Sequence, residues 1–270
     1  MSEKKFLIGM IHLPPLPGAP FYKGENFANI LDYAIKEGKK LEHADFSAVM
    51  VENIGDFPYE KNPEHPYLVA AMSVIARELV KELSIPVGVN VLRNAACSSL
   101  SIAHFTGAKF IRVNALVETI STDSGIIEPA APALLRLKAL LHSKVKIFAD
   151  VRVKHAAPLG ERDIADVMHD CAARGGADAI IVSGPRTGVP PTEDWIKKTA
   201  SFSLKPVLIG SGISLNNVDL LKYTKGVIIG TAIKENNITL NPISQEKADK
   251  FVSAVKSRWS VAHEFEEIAN

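Results

Sequence analysis

The sequence predicts one α/β domain, a TIM (β/α)8 barrel. Three observations carry this. Eight short apolar runs, many rich in Val and Ile, lie at 6–13, 46–53, 86–93, 110–116, 146–154, 179–184, 206–211 and 226–232. Short runs of that kind read as strands buried on both faces. Longer amphipathic stretches fall between them, and strand-helix alternation implies a parallel sheet with right-handed crossovers. The third observation is where the glycines fall. A doubly wound open sheet carries its glycine-rich phosphate loop after the first strand. Here the first run is followed by prolines, and the glycine-rich strand ends come last, at 210–212 and 230.

The first run ends in GMIHLPPLPG, residues 9–18. Proline supplies no ladder N–H and fixes its own φ, so this strand must stop near Leu13 with His12 close to its end. Helical periodicity is read at 26–44, 66–83, 132–143, 164–175, 215–224 and 244–259. Cys97 and Cys171 fall in apolar helical patterns and are expected as buried, reduced thiols. No linker or low-complexity tract divides the chain, so residues 1–270 are expected to form one domain, with the polar tail within 260–270 expected to fray.

Composition narrows the partners. Thirty-one basic and 30 acidic residues leave a net charge of +1, which gives nucleic acid or an anionic membrane little to bind. No run reaches the ~18 apolar residues of a membrane span. Lys4-Lys5 precede an apolar run, but His12 and the prolines interrupt it before any small-residue cleavage site. A soluble cytoplasmic protein is expected, in a homo-oligomer if common barrel habits hold.

A barrel assembles its site from the C-terminal ends of its strands. Each predicted strand ends in polar groups. They are His12; Glu52 and Asn53; Asn90, Arg93 and Asn94; Arg112 and Asn114; Asp150, Arg152, Lys154 and His155; Ser183; Ser211; and Thr231. A buried polar group without a partner is costly, so such repetition asks for a reason. Asp150, Glu52, His12 and Lys154 are the candidate catalytic groups. Asn53, Asn90, Arg112, Asn114 and Ser183 are the candidate substrate contacts. Structural alternatives stand beside these. His12 could be a satisfied core histidine, Asn90 could bond a neighbouring loop, and Arg112 could pair with Glu52 or Asp150. Asp150, facing inward, is the preferred general acid/base. Lys154 lies about 13 Å further along an extended strand and reaches the same substrate only if the loop bends back.

The pair VLIGSGIS (207–214) and VIIGTAIK (227–234) is the sharpest signal. Glycines at the last two strand ends let backbone N–H groups approach a ligand, where many barrels bind phosphate. Gly210, Ser211, Gly212, Gly230 and Thr231 are therefore the expected phosphate site. Tight turns are the alternative reason for the glycines. Arg186 in SGPRTG (183–188) is a third candidate wall. His12, Glu52, Asp150 and His155 could ligate a metal, but no HxH or HExxH spacing is present, so neither metal nor cofactor is expected.

GMIHLPPLPGAP, VMVENIGDFPY, PVGVNVLRNAA, FIRVNAL, TDSGIIEP, FADVRVKHA, IIVSGPRTG and IGSGIS together resemble the BtpA/SgcQ family, from about residue 6 to residue 256. The resemblance implies a barrel near the ribulose-phosphate-binding type. It also brings a factor for photosystem I accumulation and a product of a sugar-related operon into view. It assigns no catalytic residue. Ser124 and Pro129 depart from the expected TDQGIIEG. Three functions follow as expectations. One is an enzyme on a small phosphorylated metabolite, a sugar phosphate or ribose-phosphate derivative, by acid/base isomerisation or lyase cleavage. The others are a non-catalytic assembly factor and a nucleoside or nucleotide hydrolase.

Overall fold

The computed structural model describes residues 3–153, 155–184 and 189–269. Twelve strands and seven α-helices are described. They run β1 (Lys4–His12), α1 (Phe27–His43), β2 (Ala48–Glu52), α2 (Pro66–Glu82), β3 (Val87–Asn90), α3 (Ala96–Thr106) and β4 (Phe110–Val113). Next come β5 (Ile120–Thr122), β6 (Gly125–Ile127), α4 (Ala131–Leu140), β7 (Lys146–Val151), β8 (Ala156–Pro158), α5 (Ile164–Ala173) and β9 (Ala179–Val182). The chain closes with α6 (Glu193–Phe202), β10 (Val207–Ile209), β11 (Gly226–Ile229), α7 (Gln245–Lys256) and β12 (Ser260–Val261).

Eight parallel strands form the ring in the order β1-β2-β3-β4-β7-β9-β10-β11, and β11 pairs back to β1. Each ring strand matches one apolar run. Strand alternation divides the core into two shells. Phe6, Ile8, Met10, Met50, Phe110, Phe148, Ile181 and Ile228 fill the lumen. Their sequence neighbours Leu7, Ile11, Val49, Ile111, Ile147 and Val227 pack outward with the helices. Gly88 belongs to the lumen by necessity, because a Cβ there would lie 2.2 Å from the Phe110 ring.

Several expectations need correction. Helices α3 and α6 were absent from the periodic stretches. The α3 segment, ACSSLSIAHFT, mixes small and apolar residues around its circumference, seven of them buried, so it shows no continuous polar face to mark a period. Residues 215–223 wind as 3₁₀-helix, broken at Asn217, where φ and ψ leave the helical region. The strand read at 86–93 stops at Asn90, which leaves Arg93 and Asn94 in the following loop. TDSGIIEP forms an antiparallel hairpin, β5 with β6, joined on its other edge by β8. Cys171 is buried, whereas Cys97 is only half-buried; both are free thiols. Among the described residues no helix is long and apolar enough to cross a membrane.

The tail expected to fray is packed instead. β12 pairs in parallel with the start of β1, through Lys4–Ser260 and Lys5–Val261. Phe265 then turns under the barrel floor. Its ring lies 5.9 Å from that of Phe6 and 5.0 Å from that of Phe148. Ile268 is 1% exposed. A polar composition concealed two apolar anchors, and their spacing is too short to show as a period. Phe265→Ala is expected to lower unfolding stability by about 3 kcal/mol in urea titrations, by opening a cavity beneath the lumen.

Candidate functional site

Two residues beyond Met10, strand parity brings His12 to the inner side of the ring mouth. The parallel register sets it beside Glu52, and Glu52 beside Asn90. The same step of two along the remaining strands delivers Arg112, Asp150, Ser183, Gly210 and Gly230. These make one ring of positions at the C-terminal mouth.

A cavity of about 330 Å³ opens there. His12, Glu52 and Arg112 form one wall, and the tips 210–214 and 230–232 form the other. The volume sits at the small end of ligand sites. His12 Nδ1 lies 3.2 Å from the Thr239 carbonyl oxygen. A carbonyl only accepts, so this nitrogen donates. His12 Nε2 lies 3.8 Å from Glu52 Oε1, while the Asn90 amide donates to Glu52 Oε2. Gly230 makes room for the imidazole, because a Cβ there would stand 2.6 Å from His12 Cε1.

Asp150 is not placed as the preferred proton-transfer group. Arg112 Nε and Nη2 each donate to it at 2.8 Å, and the Asn114 amide donates at 2.8 Å. Its side chain is fully buried. Burial opposes the Arg112 charge, but Asp150 outweighs it and raises the guanidinium above its ordinary range. The structural alternative for Arg112 is therefore the observed one, and Asp150 is held as its two-bonded partner. Arg112 still reaches the cavity, since neither bond uses Nη1.

At the opposite wall, the backbone N–H groups of Ser211 and Gly212 find no acceptor among the described residues. The Ser183 and Ser211 hydroxyls are buried, with no hydrogen-bond partner among the described residues. Ser183 Oγ and Arg112 Nη2 would lie 2.6 and 3.4 Å from a Cβ on Gly210. Gly210 thus lets a hydroxyl and a guanidinium converge on the cradle. Gly212 has a second reason to be glycine. Its φ is +79°, and a Cβ would meet the Pro190 nitrogen at 2.2 Å.

Other candidates fall elsewhere. Asn53 has the wrong parity for the lumen. Its side chain accepts from Leu92 N at 2.7 Å and donates to Asp56 at 2.9 Å, fastening one loop to the next. Asn94 does the same with Ala115. Arg93 pairs with Asp123 at 3.0 Å. Asn90 touches Glu52 and supports it from the neighbouring strand. Asn114 Oδ1 has no partner among the described residues, but its amide is committed to Asp150. Lys154 and Arg186 lie outside the described residues. Among those described, no three His, Cys, Asp or Glu side chains are grouped to hold a metal. Sequence reasoning missed Thr239, which only the closing of the 230–244 loop brings to His12. A larger groove of about 830 Å³ lies on the outer surface between α4 and α5, bordered by Leu135, Arg136 and Arg174. None of the ring-mouth groups lines it.

The model of the BtpA family matches residues 3–257. Protein MJ1115 of Methanocaldococcus jannaschii is 47% identical over 254 residues, which cover 94% of this chain and 96% of that one. The photosystem I biogenesis protein BtpA of a Synechocystis strain is 40% identical over 251 residues, with 92% and 87% covered. Among solved structures, N-(5′-phosphoribosyl)anthranilate isomerase of Pyrococcus furiosus superposes with a TM-score of 0.58 at 16% identity, covering 94% of this chain and 99% of that one.

The Arg112–Asp150 pair sets a measurable expectation. Arg112→Met strands a buried carboxylate and is expected to cost about 3–5 kcal/mol of stability in denaturant titrations. Arg112→Met combined with Asp150→Leu is expected to recover most of that loss, short of the part due to the unpaired Asn114 amide.

Proposed function

The chain belongs to the BtpA family, and from that premise we propose that it is an enzyme acting on a small phosphorylated metabolite, a sugar phosphate or ribose-phosphate derivative. The observation that carries this reading is the cradle at the last two strand ends. The Ser211 and Gly212 N–H groups and the buried Ser183 and Ser211 hydroxyls stand together there, with no hydrogen-bond partner among the described residues. Buried donors left unmade are costly, and a phosphate's oxygens would satisfy them. The phosphoribosyl substrate in the name of the similar solved structure agrees with this.

The cradle would hold the phosphate while the reacting carbons lie towards His12 and Glu52. Proton transfer then falls to that pair and no longer to Asp150. Nδ1 of His12 donates to a carbonyl, so Nε2, on the Glu52 side, is assigned the proton exchange with Glu52 or with substrate. Arg112 would stabilise the negative charge that develops as a carbon-bound proton leaves. Isomerisation or a lyase cleavage next to a carbonyl suits these roles.

The name of the Synechocystis relative favours a second reading, an assembly factor that uses the barrel as a scaffold. The two readings part on the acid/base pair. A scaffold tolerates Glu52→Gln in its assembly role.

Millimolar inorganic phosphate and a panel of sugar and ribose phosphates are expected to raise the thermal midpoint, because they bind only the folded state. Ser211→Asp, which sets a carboxylate in the cradle, is expected to abolish the rise and leave the ligand-free midpoint within a few degrees. If no phosphorylated compound shifts the wild type, the reading fails. Once a substrate is found, His12→Gln and Glu52→Gln are each expected to lower kcat about 10²–10⁴-fold.

A further inference from the structure

Beyond β11 the chain does not enter α7 directly. Residues 230–244 form a narrow loop whose base closes as a hairpin. Lys234 and Ile243 make an antiparallel bridge, Glu235 N donates to Pro242 O at 2.9 Å, and Ser244 N donates to Ile233 O at 2.9 Å. This base rests on one buried carboxylate from α1. Glu37 is 1% exposed, and Lys234 is fully buried beside it. Glu37 Oε2 accepts from Lys234 Nζ at 3.2 Å and from Ile243 N at 2.5 Å. Its Oε1 accepts from Lys40 Nζ at 2.7 Å, and Lys40 also donates to Ile243 O at 2.8 Å. One carboxylate therefore holds both strands of the hairpin base.

The tip has no comparable apolar anchorage. Ile238 and Leu240 are 53% and 42% exposed. Asn236 and Asn237 both turn through positive φ. Yet the tip delivers the Thr239 carbonyl to His12 Nδ1, and the Thr231 and Thr239 hydroxyls meet at 3.0 Å. Apart from Lys247 Nζ, which donates from α7 to Asn237 Oδ1 at 2.8 Å, the position of that carbonyl is inherited from the base. A carbonyl on Nδ1 selects the tautomer with its proton there, the reverse of the form free histidine prefers. The lone pair of the neutral ring then falls on Nε2, on the Glu52 side.

We propose that Glu37 is a positioning residue for His12. By clamping the base of the 230–244 hairpin it holds the Thr239 carbonyl on Nδ1, and so dictates that Nε2 is the nitrogen that exchanges protons. A buried ion pair adds little net stability, so a positional role accounts for an arrangement that packing alone does not require. The inference rests on reading His12 and Glu52 as the proton-transfer pair.

The test is the His12 tautomer, read without ligand from two-bond ¹⁵N–¹H correlations of ¹⁵N-histidine-labelled protein at a pH where the ring is neutral. His12→Gln identifies the signals. Wild type is expected to show well-separated shifts with the proton on Nδ1. Glu37→Leu with Lys234→Met removes both charges and the acceptor for Ile243 N. The two nitrogen shifts are expected to converge towards their tautomer average. Glu37→Gln with Lys234→Met keeps an acceptor for that N–H and is expected to restore the wild-type pattern. An unchanged tautomer in folded Glu37→Leu/Lys234→Met protein overturns the proposal. Should that variant not fold, replacing residues 236–241 by an Asn-Gly turn removes the Thr239 carbonyl and leaves the base in place; retention of the Nδ1 proton there overturns it as well. Absence of phosphate binding would sink the proposed function without moving these spectra.

Discussion

Strand parity in a closed parallel ring is the constraint on which the rest of this molecule depends. Once β1 pairs with both β2 and β11, every second side chain must enter the lumen. Phe6, Ile8 and Met10 fill it, and the next inward place on β1 belongs to His12. The neighbouring strands share this parity, so Glu52, Asn90, Arg112, Asp150 and Ser183 face the mouth from successive strands. Apolar residues below and polar residues above are one alternation, cut where the ring meets solvent.

Within that layer the charges are unequal in freedom. Arg112 and Asp150 satisfy each other through two parallel hydrogen bonds, with Asn114 adding a third to the carboxylate. Such a two-bonded pair fixes the geometry of both side chains. His12 and Glu52 stand 3.8 Å apart, too far for a direct bond. Each is oriented by another group, the Thr239 carbonyl or the Asn90 amide. On the proposed function, the fixed pair holds charge and the poised pair moves a proton. The opposite wall, where the Ser211 and Gly212 N–H groups and the Ser183 and Ser211 hydroxyls find no partner among the described residues, closes the pocket.

The outer parts serve this layer at a distance. The 3₁₀ turns after β10 and β11 keep the cradle tips short, and the hairpin beyond β11 reaches back over the mouth. At the other end, β12 and Phe265 close the floor beneath an apolar lumen. An apolar floor matters because charges interact more strongly in a low-dielectric surrounding.

Eight apolar runs, their alternation with helices and the late glycines were enough to read the barrel and the mouth at which its polar residues gather. They are local signals, carried by hydrophobic period and by turn chemistry. The pairings within the site were not legible in the same way. Asp150 and Arg112 stand 38 residues apart, and His12 and Thr239 stand 227 apart. Asn53 and Glu52 are neighbours in sequence, yet one clips loops while the other faces the cavity. Helix α3 and the packed tail escaped notice because a helix whose small and apolar residues face every side, and a two-residue anchor, have no period to detect. The sequence by itself determined which residues are apolar, where the chain turns and which polar groups end each strand. Only the closed ring decided which of those groups neutralise each other and which remain to act, because a hydrogen bond or an ion pair depends on ångströms between distant segments and no local pattern encodes that distance.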